Sequence, residues 1–226
     1  MDFLIIYGLV GISLLITLGA QAFITSSYSK FSKQRNTNNI TGAEAARIVL
    51  DKNGLANVKV EKVSGYLSDH YDPKTKTVRL SEANYTEPSI ASVAVACHEC
   101  GHAIQDKDGY TFLRIRRTMV PFVNICSYAG YISIILGGVM GLLGLVWLGI
   151  AAEVMILIFQ LVTLPVEFDA SKRGLQQIGT EQLLIGNEQK NSKTMLTAAA
   201  LTYVASVATT IIQILRLILI YGRRQR

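Results

Sequence analysis

The sequence predicts an integral membrane α-helical bundle of about four transmembrane helices carrying a small α+β domain. Two observations point to the membrane: half of the 226 residues are hydrophobic, and several apolar runs are long and nearly free of charge. A third points to the extra domain: polar stretches between those runs carry capping, turn and alternating patterns of their own. The net charge of +6 sits largely beside the apolar runs, which suits anionic lipid, and no nucleic-acid partner is expected. Three cysteines without a spaced disulfide pattern fit a reducing compartment for the polar part.

Residues 1–25 are read as an N-terminal transmembrane anchor, because residues 3–25 lack any charge and are long enough to cross about 30 Å of hydrocarbon. Ala20-Gln21-Ala22 resembles a signal-peptide cleavage site, but the flanks oppose that reading. Asp2 precedes the run without a lysine or arginine, whereas Lys30, Lys33 and Arg35 follow it, so the anchor is retained with its N-terminus outside.

Residues 26–118 form the expected cytoplasmic domain. Residues 26–39 read as a polar linker. Thr41-Gly42-Ala43-Glu44 is a capping-box pattern, and Ala45, Ile48 and Val49 continue an amphipathic helix to about Asn53-Gly54. Val58, Val60 and Val63 suggest a strand, and residues 65–69 with 77–80 suggest a hairpin around Asp72-Pro73-Lys74. An alanine-rich helix over residues 89–105 follows, too short in its apolar part to span the bilayer. Two transmembrane helices are expected within 119–166, with Gly137, Gly138, Gly141 and Gly144 as turn or close-packing points. Residues 167–194 return to the cytoplasm, and 195–226 form a last span with a basic tail. A multi-pass membrane protein with its site facing the cytoplasm is the resulting expectation, although Arg223, Arg224 and Arg226 then lie on the less favoured side.

The alanine-rich helix contains His98-Glu99-Cys100-Gly101-His102. Four residues apart on a helix, His98 and His102 share one face and can grip one metal ion. Glu99 beside them is placed to take a proton from a water that the ion acidifies, so the chemistry is hydrolytic. With three histidines in the chain, two at ligand spacing outweigh the alternative of a helix with satisfied histidines. Gly101 costs about 1 kcal/mol inside a helix and suggests close approach by another element.

Glu167 is the expected third ligand, since catalytic zinc wants three protein ligands and an open position, and two histidines with a carboxylate suit Zn2+. Asp169, two residues on, would point to roughly the opposite side. His70 reads equally as a turn residue or as a catalytic donor near the metal. A strand beside the metal helix is a natural edge for an extended peptide. Cys97 and Cys100 form C-x-x-C but point about 150° from the histidine pair, so buried side chains are a better reading than shared metal ligation or redox work. Glu153 recurs seven and fourteen residues before Gln160 and Glu167 and is a candidate intramembrane partner of Arg216.

Together Leu67-Ser68-Asp69-His70-Tyr71-Asp72-Pro73, Val78-Arg79-Leu80-Ser81, His98-Glu99-Cys100-Gly101-His102-Ala103-Ile104-Gln105 and Glu167-Phe168-Asp169-Ala170-Ser171 resemble the bacterial YugP-type membrane zinc metallopeptidases over nearly the whole chain. More remotely the order of elements is similar to the HtpX heat-shock protease and the CAAX prenyl proteases. The resemblance implies a zincin-like metallopeptidase domain, zinc ligation by His98, His102 and Glu167, and Glu99 as general base. Ser171 departs from the remote pattern, which has aspartate there, and a weakened supporting shell costs about 10 to 100-fold in metal affinity or activity. The function expected is a membrane-bound zinc endopeptidase whose polypeptide substrates are membrane or membrane-proximal proteins. The alternatives are a non-catalytic, zinc-stabilised membrane scaffold or regulator and a C-x-x-C thiol oxidoreductase.

Overall fold

A computed structural model describes residues 2–222. The basic tail invoked in the topology argument lies outside the described residues. Seven helices and three strands follow in the order α1 (Asp2–Ser32), α2 (Gly42–Lys52), β1 (Lys59–Val63), β2 (His70–Asp72), β3 (Thr77–Ser81), α3 (Glu82–Thr86), α4 (Ile90–Lys107), α5 (Thr111–Met140), α6 (Leu143–Thr180) and α7 (Asn187–Tyr221). They divide into two units, one holding the chain up to Gln21 with Arg114–Leu164 and everything from Leu201, the other holding Ala22–Leu113 and Pro165–Ala200.

The first unit is built from apolar helix. Four helices, α1, α5, α6 and α7, are each long and apolar enough to cross a membrane, and side chains such as Leu4, Leu15, Tyr128 and Val139 stand largely exposed. Exposure on that scale is unfavourable in water and natural in lipid, where each helix satisfies its own backbone. Val146 and Ile150 of α6 pack on Ile214 and Leu217 of α7, and α5 turns into α6 at Gly141, whose φ is +71°. Glu153 and Arg216 form no ion pair; the Arg216 Nε is buried without a hydrogen-bond partner, as are Trp147 Nε1 and Gln160 Oε1. The expected pairing is therefore absent: spacing along two helices does not set the rotation that would bring the groups together.

The second unit packs α2, α3 and α4 with a three-stranded sheet of order β1-β3-β2, in which β1 runs parallel and β2 antiparallel to β3. The capping box forms as read: Thr41 Oγ1 accepts from the Glu44 N–H, and the Glu44 carboxylate accepts from the Thr41 N–H. The hairpin is shorter than expected. Only residues 70–72 pair with β3, Tyr71 opposite Val78, and residues 65–69 form a loop.

The expected linker is half helix. α1 runs on to Ser32, with Ser26 and Ser32 hydroxyls donating back to the Phe23 and Ser29 carbonyls, a bond that lets serine sit inside a helix. Tyr28 and Phe31 are thereby buried in the second unit's core with Ala45, Val49, Leu80 and Ala94, so burial outweighs a low local propensity. The helix α4 is capped by Ser89, whose hydroxyl accepts from the Ser92 N–H. Nearly every face of α4 is buried, as befits a central helix carrying alanine, valine and cysteine all round.

Candidate metal centre

Three elements converge on the site: α4, α6 and β2. His98 and His102 project from one face of α4 as their spacing requires, with ring centroids 4.8 Å apart. Their Nε2 atoms lie 3.4 and 3.7 Å from Glu167 Oε2 on α6, and the ligand atoms of all three residues fall within 4.8 Å of one another. Those separations are long for good hydrogen bonds, which run about 2.7–3.2 Å. The two histidine–glutamate separations approach those of a zinc site, where ligand distances of about 2.0–2.2 Å at tetrahedral angles place ligand atoms about 3.4 Å apart.

Close helix packing sets this geometry. A Cβ on Gly101 would collide with the Ala170 carbonyl oxygen, and one on Gly174 would come within 2.8 Å of the Cys97 carbonyl oxygen. Two glycines, one on each helix, therefore let α4 and α6 approach backbone to backbone. Residue 167, the expected start of a cytoplasmic segment, lies inside α6, which continues unbroken to Thr180.

The ring nitrogens facing away from the cluster are both engaged. His98 Nδ1 lies 3.1 Å from Ser171 Oγ, so the serine hydroxyl supports that ring. His102 Nδ1 lies 3.0 Å from Gln105 Oε1. Gln105 is fully buried, and its Nε2 donates to the Val166 carbonyl at 2.8 Å and to Asp169 Oδ2 at 2.9 Å. Since both those partners only accept, the amide cannot be turned round, and its oxygen must face His102. His102 then carries its proton on Nδ1 and presents a lone pair from Nε2 to the cluster. Asp169 is held in turn by Arg173 Nε at 2.6 Å, and Arg173 Nη1 by Asp108 at 2.5 Å. Sequence reasoning missed the role of Gln105 and left open whether Ser171 or Asp169 supports the ligands; the available signal was a glutamine three residues after His102 on the buried side of the helix.

Glu99 is buried against β2, where the Tyr71 N–H donates to its carboxylate. An N–H spent on Glu99 is not spent on β3, so it marks the outer edge of β2. Burial pushes the Glu99 carboxyl up to about 7; the Glu167 and Asp69 carboxylates add to that, and His98 and the Tyr71 N–H oppose it. His70 is not brought to the cluster. It is exposed on β2 with Nδ1 2.8 Å from the Ser68 carbonyl, and strand alternation turns its side chain away from that of Tyr71, whose hydroxyl reaches Asp106 of α4. Cys97 and Cys100 are fully buried, and burial raises both thiols far above the usual range.

Comparison with known proteins agrees with this chemistry. Residues 6–222 match the family described as "Putative neutral zinc metallopeptidase". A protein of Bacillus subtilis (strain 168) described as "Putative membrane protease YugP" is 42% identical over 206 residues, covering 91% of this chain and 92% of the relative. No solved structure matches the chain. The chain, with its paired histidines and distal glutamate on touching helices, belongs to this neutral zinc metallopeptidase family.

Proposed function

We propose that the protein is a membrane-bound zinc endopeptidase that cleaves membrane or membrane-proximal polypeptides, with His98, His102 and Glu167 holding the ion and Glu99 as general base. The observation that carries this reading is the conjunction of three ligand atoms within 4.8 Å of one another with a histidine tautomer set for ligation by Gln105. The chemistry a zinc ion supplies when bound is Lewis acidity, which lowers the pKa of water to about 7 and polarises a carbonyl.

The remaining steps belong to the chain. Glu99, buried beside the ligand His98, takes the proton of the attacking water and passes it to the leaving amine. An extended peptide pairing along the outer edge of β2 would bring a scissile bond to Glu99 through the position of Tyr71. His70 has no part in this step. The lysines and arginine that follow the first apolar run support a cytoplasmic orientation in a bacterial inner membrane.

The test is Glu99→Gln beside the wild type, both purified in detergent, with bound zinc and cleavage of an unfolded membrane-protein substrate measured on each. Equal zinc with a loss of about 100-fold or more in cleavage is expected. Equal zinc and equal behaviour of the two proteins would sink the catalytic role of Glu99 and favour a zinc-stabilised scaffold.

A further inference from the structure

The loop of residues 65–69, between β1 and β2, holds two apolar side chains outward. Tyr66 is 71% and Leu67 is 43% exposed, and Leu67 has φ +52°, a left-handed conformation that a branched apolar residue seldom adopts. The loop is firmly built nonetheless. The Ser68 hydroxyl donates to the Gly65 carbonyl, and the Asp69 carboxylate accepts from the Ser81 N–H at 2.7 Å and from Asn84 Nδ2 at 2.9 Å. Asn84 Oδ1 accepts from the Tyr28 hydroxyl at 3.1 Å, and the Tyr28 ring meets the Tyr66 ring edge-on at 5.6 Å.

Tyr28 identifies what covers this loop. It lies in α1 three residues beyond the apolar run of residues 3–25 and two before Lys30, the first charge after that run, about 4.5 Å farther along the axis than the end of the run, at the depth where tyrosine and tryptophan line membrane interfaces. Elsewhere in residues 22–113 and 165–200 the exposed large apolar side chains are Phe23, Phe112 and Phe168, all on helices apolar enough to span, and Ile185. Tyr66 and Leu67 thus present apolar surface, from a rigid loop, directly beside a helix leaving the bilayer.

We propose that residues 65–69 form an interfacial anchor, with Tyr66 and Leu67 seated in the headgroup–acyl boundary of the lipid bilayer. The anchoring itself rests on the spans and not on peptidase activity; its consequence does rest on the proposed function. Asp69 is two residues before Tyr71, so a loop docked on lipid holds the β2 edge, and with it Glu99, at the membrane surface. Polypeptide segments emerging from the bilayer are then the substrates presented to the site.

The test places a single indole in the loop. Tyr66→Trp is made in a Trp147→Phe background, which removes the one native tryptophan, and the full chain is reconstituted in phosphatidylcholine–phosphatidylglycerol vesicles. With lipids brominated at shallow acyl positions the indole emission should fall roughly two-fold, more than with deep bromines, as an interfacial side chain requires. Water-like emission open to acrylamide would overturn the proposal. So would blue-shifted emission untouched by either brominated lipid, which would mean that a second copy or another polypeptide covers the loop. Should Trp147→Phe fail to fold, the difference between Tyr66→Trp and its parent, both retaining Trp147, gives the same reading. Cleavage is followed on the same samples, so an inactive protein whose indole is quenched separates the failure of the peptidase reading from that of the anchor.

Discussion

Gln105→Met removes the one side chain that sets the His102 tautomer while keeping length and volume almost unchanged. Of the groups that Gln105 serves, Asp169 retains Arg173, whereas the His102 Nδ1–H has no other partner among the described contacts. An unpaired buried donor costs about 1–3 kcal/mol. The imidazole escapes by moving its proton to Nε2, where it faces Glu167 and opposes the metal. At 1.4 kcal/mol per tenfold, this predicts a zinc affinity about 10 to 100-fold weaker, the range for lost support behind a metal ligand. Competition with a chromophoric chelator in detergent measures it, and circular dichroism checks that helix content is kept. Asp169→Asn, one contact farther out, should lose less. A Gln105→Met protein with intact helices and a wild-type zinc Kd would refute the argument that the amide dictates the tautomer.

Three further outcomes follow from the same contacts. Gly101→Ala drives a methyl group into the Ala170 carbonyl and should cost about 1–3 kcal/mol by overpacking, with zinc affinity falling alongside; an unchanged melting temperature would show that the helices can part freely. Cys97 and Cys100 should resist alkylation at mildly alkaline pH in the folded protein and react after unfolding, since burial holds their thiols protonated; rapid labelling of either in the native state would contradict that. Hydrogen bonds from Thr75, then Arg79 and the Lys74 N–H, hold the Asp72 carboxyl well below the usual range. Its contribution is therefore present above the ordinary carboxylate pKa and lost as pH falls toward the depressed one, so Asp72→Asn should flatten the acid limb of the stability curve and leave the alkaline limb unmoved.

Local pattern was the legible part of the sequence. The capping box at Thr41, the four apolar helices and the His98–Glu99–His102 face all depend on residues within one or two turns, and propensity, periodicity and spacing report on that range directly. Glu167 could be nominated from the needs of a zinc site, although its setting inside a continuous α6 could not. What only the tertiary structure decided is the relation between distant residues. Ser171 supports His98 from 73 positions away, and Gln105 reads as an unremarkable helix residue until Val166 and Asp169 are packed against it. Tyr28 and Phe31 turn a serine-rich linker into helix only because a core receives them, and His70 lies exposed on β2, outside the ligand cluster, once β2 has paired with β3. Glu153 and Arg216 carry opposite charges, but the Arg216 Nε is left without a partner. The reason is common to all of these: chain-local free energies are written in short windows of sequence, whereas a supporting hydrogen bond or a backbone-to-backbone contact exists only once two remote segments share a packed interface.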